Sequence, residues 1–157
     1  MKFIKAIQQH LIQMFQIARS NPTYYEYLQI PLNDISQMQD ILLALPPNTS
    51  KDDKHVYLIY DDDQLVAMLD LITNYPNAKE AWIGYLMIHG DVHRQKWGNR
   101  IVSEIEIQLK KHDYHKIGLA VLVQNKEGLA FWEQCGFQFV RDSEGIEHTL
   151  KVYTKNI

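Results

Sequence analysis

The sequence predicts a mixed α+β fold in which helices pack on one sheet, within a single domain spanning residues 1–157. Three observations predict it. The apolar period switches several times between helical and strand spacing, the elements read in the order β-α-α-β-β-β-α-β-α-β-β, and no repeat, linker or low-complexity tract divides them. With 157 residues, 46% of them hydrophobic and 22% charged, the chain is long enough for one core and has globular rather than disordered proportions.

The short MKFIKAI reads as a first strand. Ile7, Leu11, Met14, Phe15 and Ala18 then recur at three- and four-residue steps, forming one stripe of a helix from about 8 to 19. Asn21-Pro22 closes that helix and can open another turn over TYYEYL, because Asn caps free amides and Pro is tolerated at the first helical position. Asp34 is placed to cap a second helix whose Ile35, Met38, Ile41, Leu42 and Leu45 share a face, and Pro46-Pro47 ends it. After the polar loop NTSKDDK, HVYLIY and QLVAMLDLI form a hairpin around an acidic turn. The turn NYPNAKE leads into a third β-rich stretch, AWIGYLMIH, and from Gly98 helical spacing resumes with Ile101, Val102, Ile105 and Leu109 as the buried stripe. The strand IGLAVLV, the helix EGLAFWEQCGF and the strands FQFV and IEHTLKVYT complete the chain.

Sixteen Lys and Arg against nineteen Asp and Glu leave a net charge of −3, which argues against a general nucleic-acid binder. The single cysteine, Cys135, excludes an intramolecular disulfide and any multi-cysteine zinc site, and it reads as a packing residue in the last turn of a helix. No apolar run approaches the roughly 18 residues of a spanning helix, so no membrane association is expected and the expected location is the cytoplasm. His89 and His93 lie four apart, but on a strand end and in a loop rather than on one helix, and no metal site is expected.

The passage from strand to helix through LMIHGDVHRQKWGNRIVSEI carries the strongest chemical signal. A helix N-terminus offers unpaired amides and partial positive charge, and His93, Arg94, Lys96 and Arg100 add four potential cations. Gly98 permits close backbone approach. These features suit a small, highly charged anion, although solvated surface charge is the other reading of the same residues. There is no GxxxxGK[ST], which argues against a P-loop.

With the strand AVLVQN and the helix NKEGLAFWEQCGF that follow it, this passage resembles the GNAT superfamily of acyl-CoA-dependent N-acyltransferases. Its small, single-domain bacterial members are the nearest in form. The family's [QR]xxGx[GA] loop corresponds to HRQKWG at 93–98, and its Asn-led helix ending in A-x-x-F-Y-x-x-x-G-F corresponds to residues 125–137. The register HRQKWG is preferred to QKWGNR because it begins five residues after Ile88 and leaves Ile101, Val102 and Ile105 buried.

The resemblance implies a mostly antiparallel sheet of about six to seven strands, splayed between the fourth and fifth, with about four helices. It implies direct acetyl transfer from acetyl-CoA, as cosubstrate, to an amine of a small molecule or peptide. Cofactor contacts would come from Leu86, Met87 and Ile88 on the fourth strand, from His93, Arg94, Gln95, Lys96, Trp97, Gly98 and Asn99 on the loop, and from Asn125 and Trp132 across the gap. An amide of that strand would polarise the thioester carbonyl. The acceptor pocket would involve Tyr24, Tyr25, Tyr27, Tyr75 and Tyr85, residues that equally suit half-buried packing.

Three positions depart from the pattern: His93 replaces Gln or Arg, Lys96 replaces a glycine whose φ it would have to adopt, and Trp132 stands where many members have a proton-donating tyrosine. An indole N–H is too weak an acid to inherit that role. Asp70 and Glu80 are the candidate bases, Tyr85 is a further catalytic candidate, and Asp70 and Glu80 are equally readable as solvated or hydrogen-bonded carboxylates. The alternative function is an acyl-CoA-binding regulator or sensor with weak catalysis or none. Pairing of the C-terminal strands into a homodimer is a further possibility, as in many members.

Overall fold

The computed structural model describes residues 1–145 and 147–157. Seven strands form one sheet: β1 (Lys2–Lys5), β2 (Lys54–Asp61), β3 (Gln64–Thr73), β4 (Glu80–Ile88), β5 (Lys116–Leu122), β6 (Gln138–Glu144) and β7 (Thr149–Asn156). Their spatial order is β1-β2-β3-β4-β5-β7-β6, and every neighbouring pair is antiparallel except β4 and β5. Five α-helices accompany them rather than about four: α1 (Leu11–Arg19), α2 (Pro22–Leu28), α3 (Gln37–Leu43), α4 (Trp97–Lys111) and α5 (Lys126–Gln134). The added element is TYYEYL, which with Pro22 winds into a helix of its own and stops where Gln29 turns left-handed at φ 55°.

Strand alternation divides the core in two. On one face Val56, Leu58, Met68 and Met87 meet Met14, Ile17, Ala18, Tyr25 and Met38 from α1 to α3. On the other, Ile59, Leu69, Leu71 and Leu119 meet Ile101, Val102, Ile105 and Leu109 of α4 together with Leu129 and Trp132 of α5. The α4 stripe read from the sequence is fully buried. The stripe read for α1 shifts at its start: residues 8–10 form a 3-10 turn, Ile7 remains 47% exposed, and Ile17 is buried instead.

Capping chemistry also differs from expectation. Asn21 makes no cap bond to α2; its side-chain amide donates to the Ile17 carbonyl and, at 2.9 Å, to the Ile88 carbonyl, which ties the α1–α2 corner to the end of β4. Asp34 accepts from the Ser36 amide, and Gln37 bonds back to the amides of Asn33 and Asp34 and to the Pro31 carbonyl. This turn delays α3 to residue 37, so Ile35 falls outside it. The extended conformation from Ala44 ends α3 before Leu45, the residue preceding Pro46. Strand β6 forms one edge of the sheet, and Phe139 and Val140 on it are exposed.

Candidate active site

Strands β4 and β5 pair only over Glu80–Ile83 and Lys116–Leu119, and beyond those residues the two strands have no mutual register. The sheet therefore opens at the C-terminal half of β4, leaving its β5-facing edge without a strand partner while its other edge stays bonded to β3. A single extra residue, Gly84, bulges β4 at this point, since Asp70 faces Tyr85 and Leu71 faces Ile83. A Cβ on Gly84 would lie 2.6 Å from Asp70 Oδ2, so the bulge needs a glycine.

Two cavities open on this gap. One, of about 670 Å³, runs from the α1–α2 corner past Leu86, Met87 and Ile88 to the loop before α4. The second, of about 580 Å³, lies among Tyr24, Leu28, Trp82, Gly84 and Tyr85, the end of β5, and Glu147, His148 and Leu150. Tyr24, Leu86, Met87, Asn125 and Trp132 line both, and so mark their junction.

The loop that ends the first cavity gathers backbone amides without partners. Among the described residues, the backbone amides of residues 94–99 make no hydrogen bond, and those of Trp97, Gly98 and Asn99 are the free first amides of a fifteen-residue helix. Arg94 and Lys96 both sit at φ 62°, in the left-handed region. Lys96 has thus taken the glycine-like conformation that the sequence raised as a cost, and it is the N-cap of α4. His93 turns its ring back: Nε2 donates to the Ile88 carbonyl at 3.0 Å, so its proton is committed to β4. Gly98 serves packing as much as approach, because a Cβ there would meet the Phe131 ring at 2.8 Å. Trp97 packs into the core with Arg100 stacked 4.0 Å over it. Gln95, unlike its neighbours His93, Arg94, Lys96, Trp97, Gly98 and Asn99, does not line the cavity.

At the junction, Asn125 caps α5: its Oδ1 accepts from the Gly128 amide at 2.9 Å, which leaves its side-chain NH2 without a partner among the described residues. Trp132 packs edge-on between Phe131 and Phe137, at ring separations of 4.9 and 5.1 Å. Opposite it, Tyr24 packs edge-on against Tyr25 and Tyr85, while the Tyr25 and Tyr85 hydroxyls lie 2.8 Å apart and Tyr85 donates to Met87 Sδ. Burial holds the pKa of all three phenols above the ordinary value, that of Tyr24 at about 12.

The sequence profile of the acetyltransferase (GNAT) family matches residues 6–137. The chain belongs to the GNAT acetyltransferase family. It is accordingly an acetyltransferase by descent, and its splayed sheet is the family's fold. An acetyltransferase from Thermus thermophilus superposes with a TM-score of 0.85 at 18% identity, covering 99% of this chain and 96% of that one. A ribosomal-protein-alanine N-acetyltransferase from Brucella melitensis gives 0.71 at 14% identity over 100% of both chains. A Bacillus subtilis acetyltransferase in complex with CoA gives 0.65 at 12% identity, covering 99% and 97%. No curated protein matches the sequence significantly.

Within this GNAT fold the remaining candidate residues separate. Asp70 lies directly behind the Gly84 bulge, lines neither cavity, and places Oδ2 2.8 Å from Lys54 Nζ. Its Oδ1 is buried without a hydrogen-bond partner among the described residues, and burial raises its pKa against the pull of Lys54. Glu80 sits at the closed end of the β4–β5 pair, 3.6 Å from Lys116, away from both cavities. Tyr75 packs on Trp82 without reaching the second cavity, Tyr25 lines neither cavity although its hydroxyl meets that of Tyr85, and Tyr27 lines only the first. The sequence reading missed Leu28, Trp82, Glu147, His148 and Leu150. His148 reaches the cavity because its Nε2 bonds the Leu28 carbonyl at 3.0 Å, across 120 residues of chain. A carbonyl only accepts, so Nε2 carries a proton, and in the neutral ring Nδ1 holds the lone pair. No group of three or more His, Cys, Asp or Glu gathers as a metal site among the described residues, and none of their helices is long and apolar enough to cross a membrane.

Proposed function

We propose that the protein is an N-acetyltransferase that moves the acetyl group of acetyl-CoA directly to a primary amine carried on an apolar or aromatic body. The observation that supports this most is the continuity of the two cavities: an anion-binding loop ends one, an aromatic chamber forms the other, and they meet along an unpaired strand edge.

The residues present fit the cosubstrate. The free amides of residues 94–99, with the Arg94 and Lys96 side chains, suit a pyrophosphate. The edge of β4 from Gly84 to Met87 suits an arm that bonds as an added strand, and Asn125 offers its side-chain NH2 from the other side. The Ile88 carbonyl is already taken by Asn21 and His93, so Ile88 contributes chiefly apolar surface. Bound there, acetyl-CoA supplies an acetyl group activated as a thioester. A β4 amide near the bulge polarises the carbonyl and stabilises charge developing on its oxygen.

Acceptor class follows from the second chamber. No Lys or Arg lines it among the described residues, Glu147 does, and Trp82, Tyr24 and Tyr85 present rings. Such a wall favours a cation with an apolar body over an anion. Glu147 and His148 Nδ1 are the proton acceptors that reach this chamber, and they are better placed than Asp70 or Glu80 to take the ammonium proton.

The test is release of CoA thiol from acetyl-CoA by the purified protein in the presence of arylalkyl amines, polyamines and peptides with free N-termini. Arylalkyl amines should be turned over best. A second reading, an acyl-CoA-binding regulator, draws on Trp132 at the tyrosine position; it replaces the first if acetyl-CoA binds and no amine accelerates thiol release.

A further inference from the structure

Trp132 cannot donate a proton as the usual tyrosine does, yet the departing sulfur of a thioester benefits from a donor as it takes up the electron pair. Five residues mark the junction where that sulfur would sit, and of these Tyr24 alone carries an O–H. The neighbouring phenols are committed: Tyr25 bonds the Tyr85 oxygen, and Tyr85 donates to Met87 Sδ. The Tyr24 hydroxyl makes no hydrogen bond among the described residues, although its ring is fixed by edge contacts to Tyr25 and Tyr85 at 5.5 and 5.7 Å.

We propose that Tyr24, on α2, is the hydrogen-bond donor to the leaving sulfur, acting from the wall opposite Trp132. This rests on the acetyl-CoA reading above. As the amine nitrogen bonds to the carbonyl carbon, the C–S bond breaks and its electron pair passes to sulfur. The nitrogen sheds its protons to His148, Glu147 or water, and one of them later neutralises the thiolate. Tyr24 gives a hydrogen bond rather than its proton, because its pKa of about 12 lies well above the ordinary thiol value of about 8.5.

The experiment compares native protein with Tyr24→Phe, which keeps the ring packing, and reads the titration of the thiol of bound CoA by thiolate ultraviolet absorbance. A hydrogen bond to the sulfur anion should make that thiol titrate about one to two pH units lower in the native protein than in the variant. Turnover with acetyl-CoA should fall about 10- to 100-fold in Tyr24→Phe at nearly equal CoA affinity, and much less with an aryl thioester donor whose leaving group needs no help. Equal thiol titration in both proteins overturns the proposal while leaving the cofactor reading intact. Failure of CoA to bind either protein overturns the cofactor reading, and the proposal with it.

Discussion

Replacing Lys96 by glycine should stabilise the fold and weaken CoA binding at once. Lys96 is exposed, holds φ 62° at the N-cap of α4, and makes no side-chain hydrogen bond or ion pair among the described residues. A non-glycine residue in that conformation costs about 1–2 kcal/mol. Glycine brings a conformational-entropy penalty of about 0.5–1 kcal/mol in return. It is also an accepted N-cap residue. The net gain is about 0.5–1 kcal/mol, a rise of about 2 °C in Tm for a chain of this size. Loss of the ammonium should raise the Kd for CoA about fivefold at low salt, and less at physiological salt. Urea unfolding of the free protein and calorimetric titration with CoA read the two effects separately. Lys96→Ala is the informative companion, because it loses the charge without relieving the backbone. If Lys96→Gly is no more stable than Lys96→Ala, the strain argument fails; if neither variant binds CoA more weakly, the ammonium does not face the ligand.

Gly98→Ala should destabilise the protein by about 1–3 kcal/mol through contact with Phe131, and trimming that ring in Gly98→Ala/Phe131→Leu should recover part of the loss in a denaturation double-mutant cycle. Asn125→Ala should cost about 1 kcal/mol as a lost cap and should also weaken CoA binding, whereas Asn125→Asp should keep the cap and still weaken binding. Asp70→Ala leaves Lys54 buried and unpaired and should cost about 3–5 kcal/mol in urea unfolding. For Asp70→Asn the sign depends on pH: burial holds the Asp70 pKa above its unfolded value, so the native carboxyl's contribution is fullest below that unfolded value and declines as pH rises through the folded one. The stability of native protein relative to Asp70→Asn should therefore be greater at acid than at neutral pH.

What could be read from residues alone was what short spacing determines. The Ile101, Val102, Ile105 and Leu109 stripe fixed where α4 starts, and that in turn fixed the loop register and assigned Lys96 to a position where φ is positive. Asn125 was recognisable from the family pattern because it directly precedes its helix in sequence, and the structure adds that it caps that helix. The chamber was harder because its walls come from distant segments. Alternation places Asp70 on a sheet face but does not show Lys54 beside it, sixteen residues away. It also does not show that Glu80 lies where β4 and β5 are still paired. His148 enters because its ring, just before β7, bonds to the end of α2. The tyrosines looked alike in sequence, and only the splay of the sheet separates Tyr24, at the junction, from Tyr75 and Tyr25. Gly98 invited an explanation from phosphate approach, while its nearest constraint is a ring thirty-three positions on.

The most direct measurement is calorimetric titration of the purified protein with acetyl-CoA, with ATP as the comparison anion at matched ionic strength. Binding of acetyl-CoA at about micromolar Kd and distinctly weaker binding of ATP are predicted, since the β4 edge and Asn125 add contacts that ATP lacks. Equal affinity for the two would reduce the site to its anion loop, and no binding of either would contradict the account.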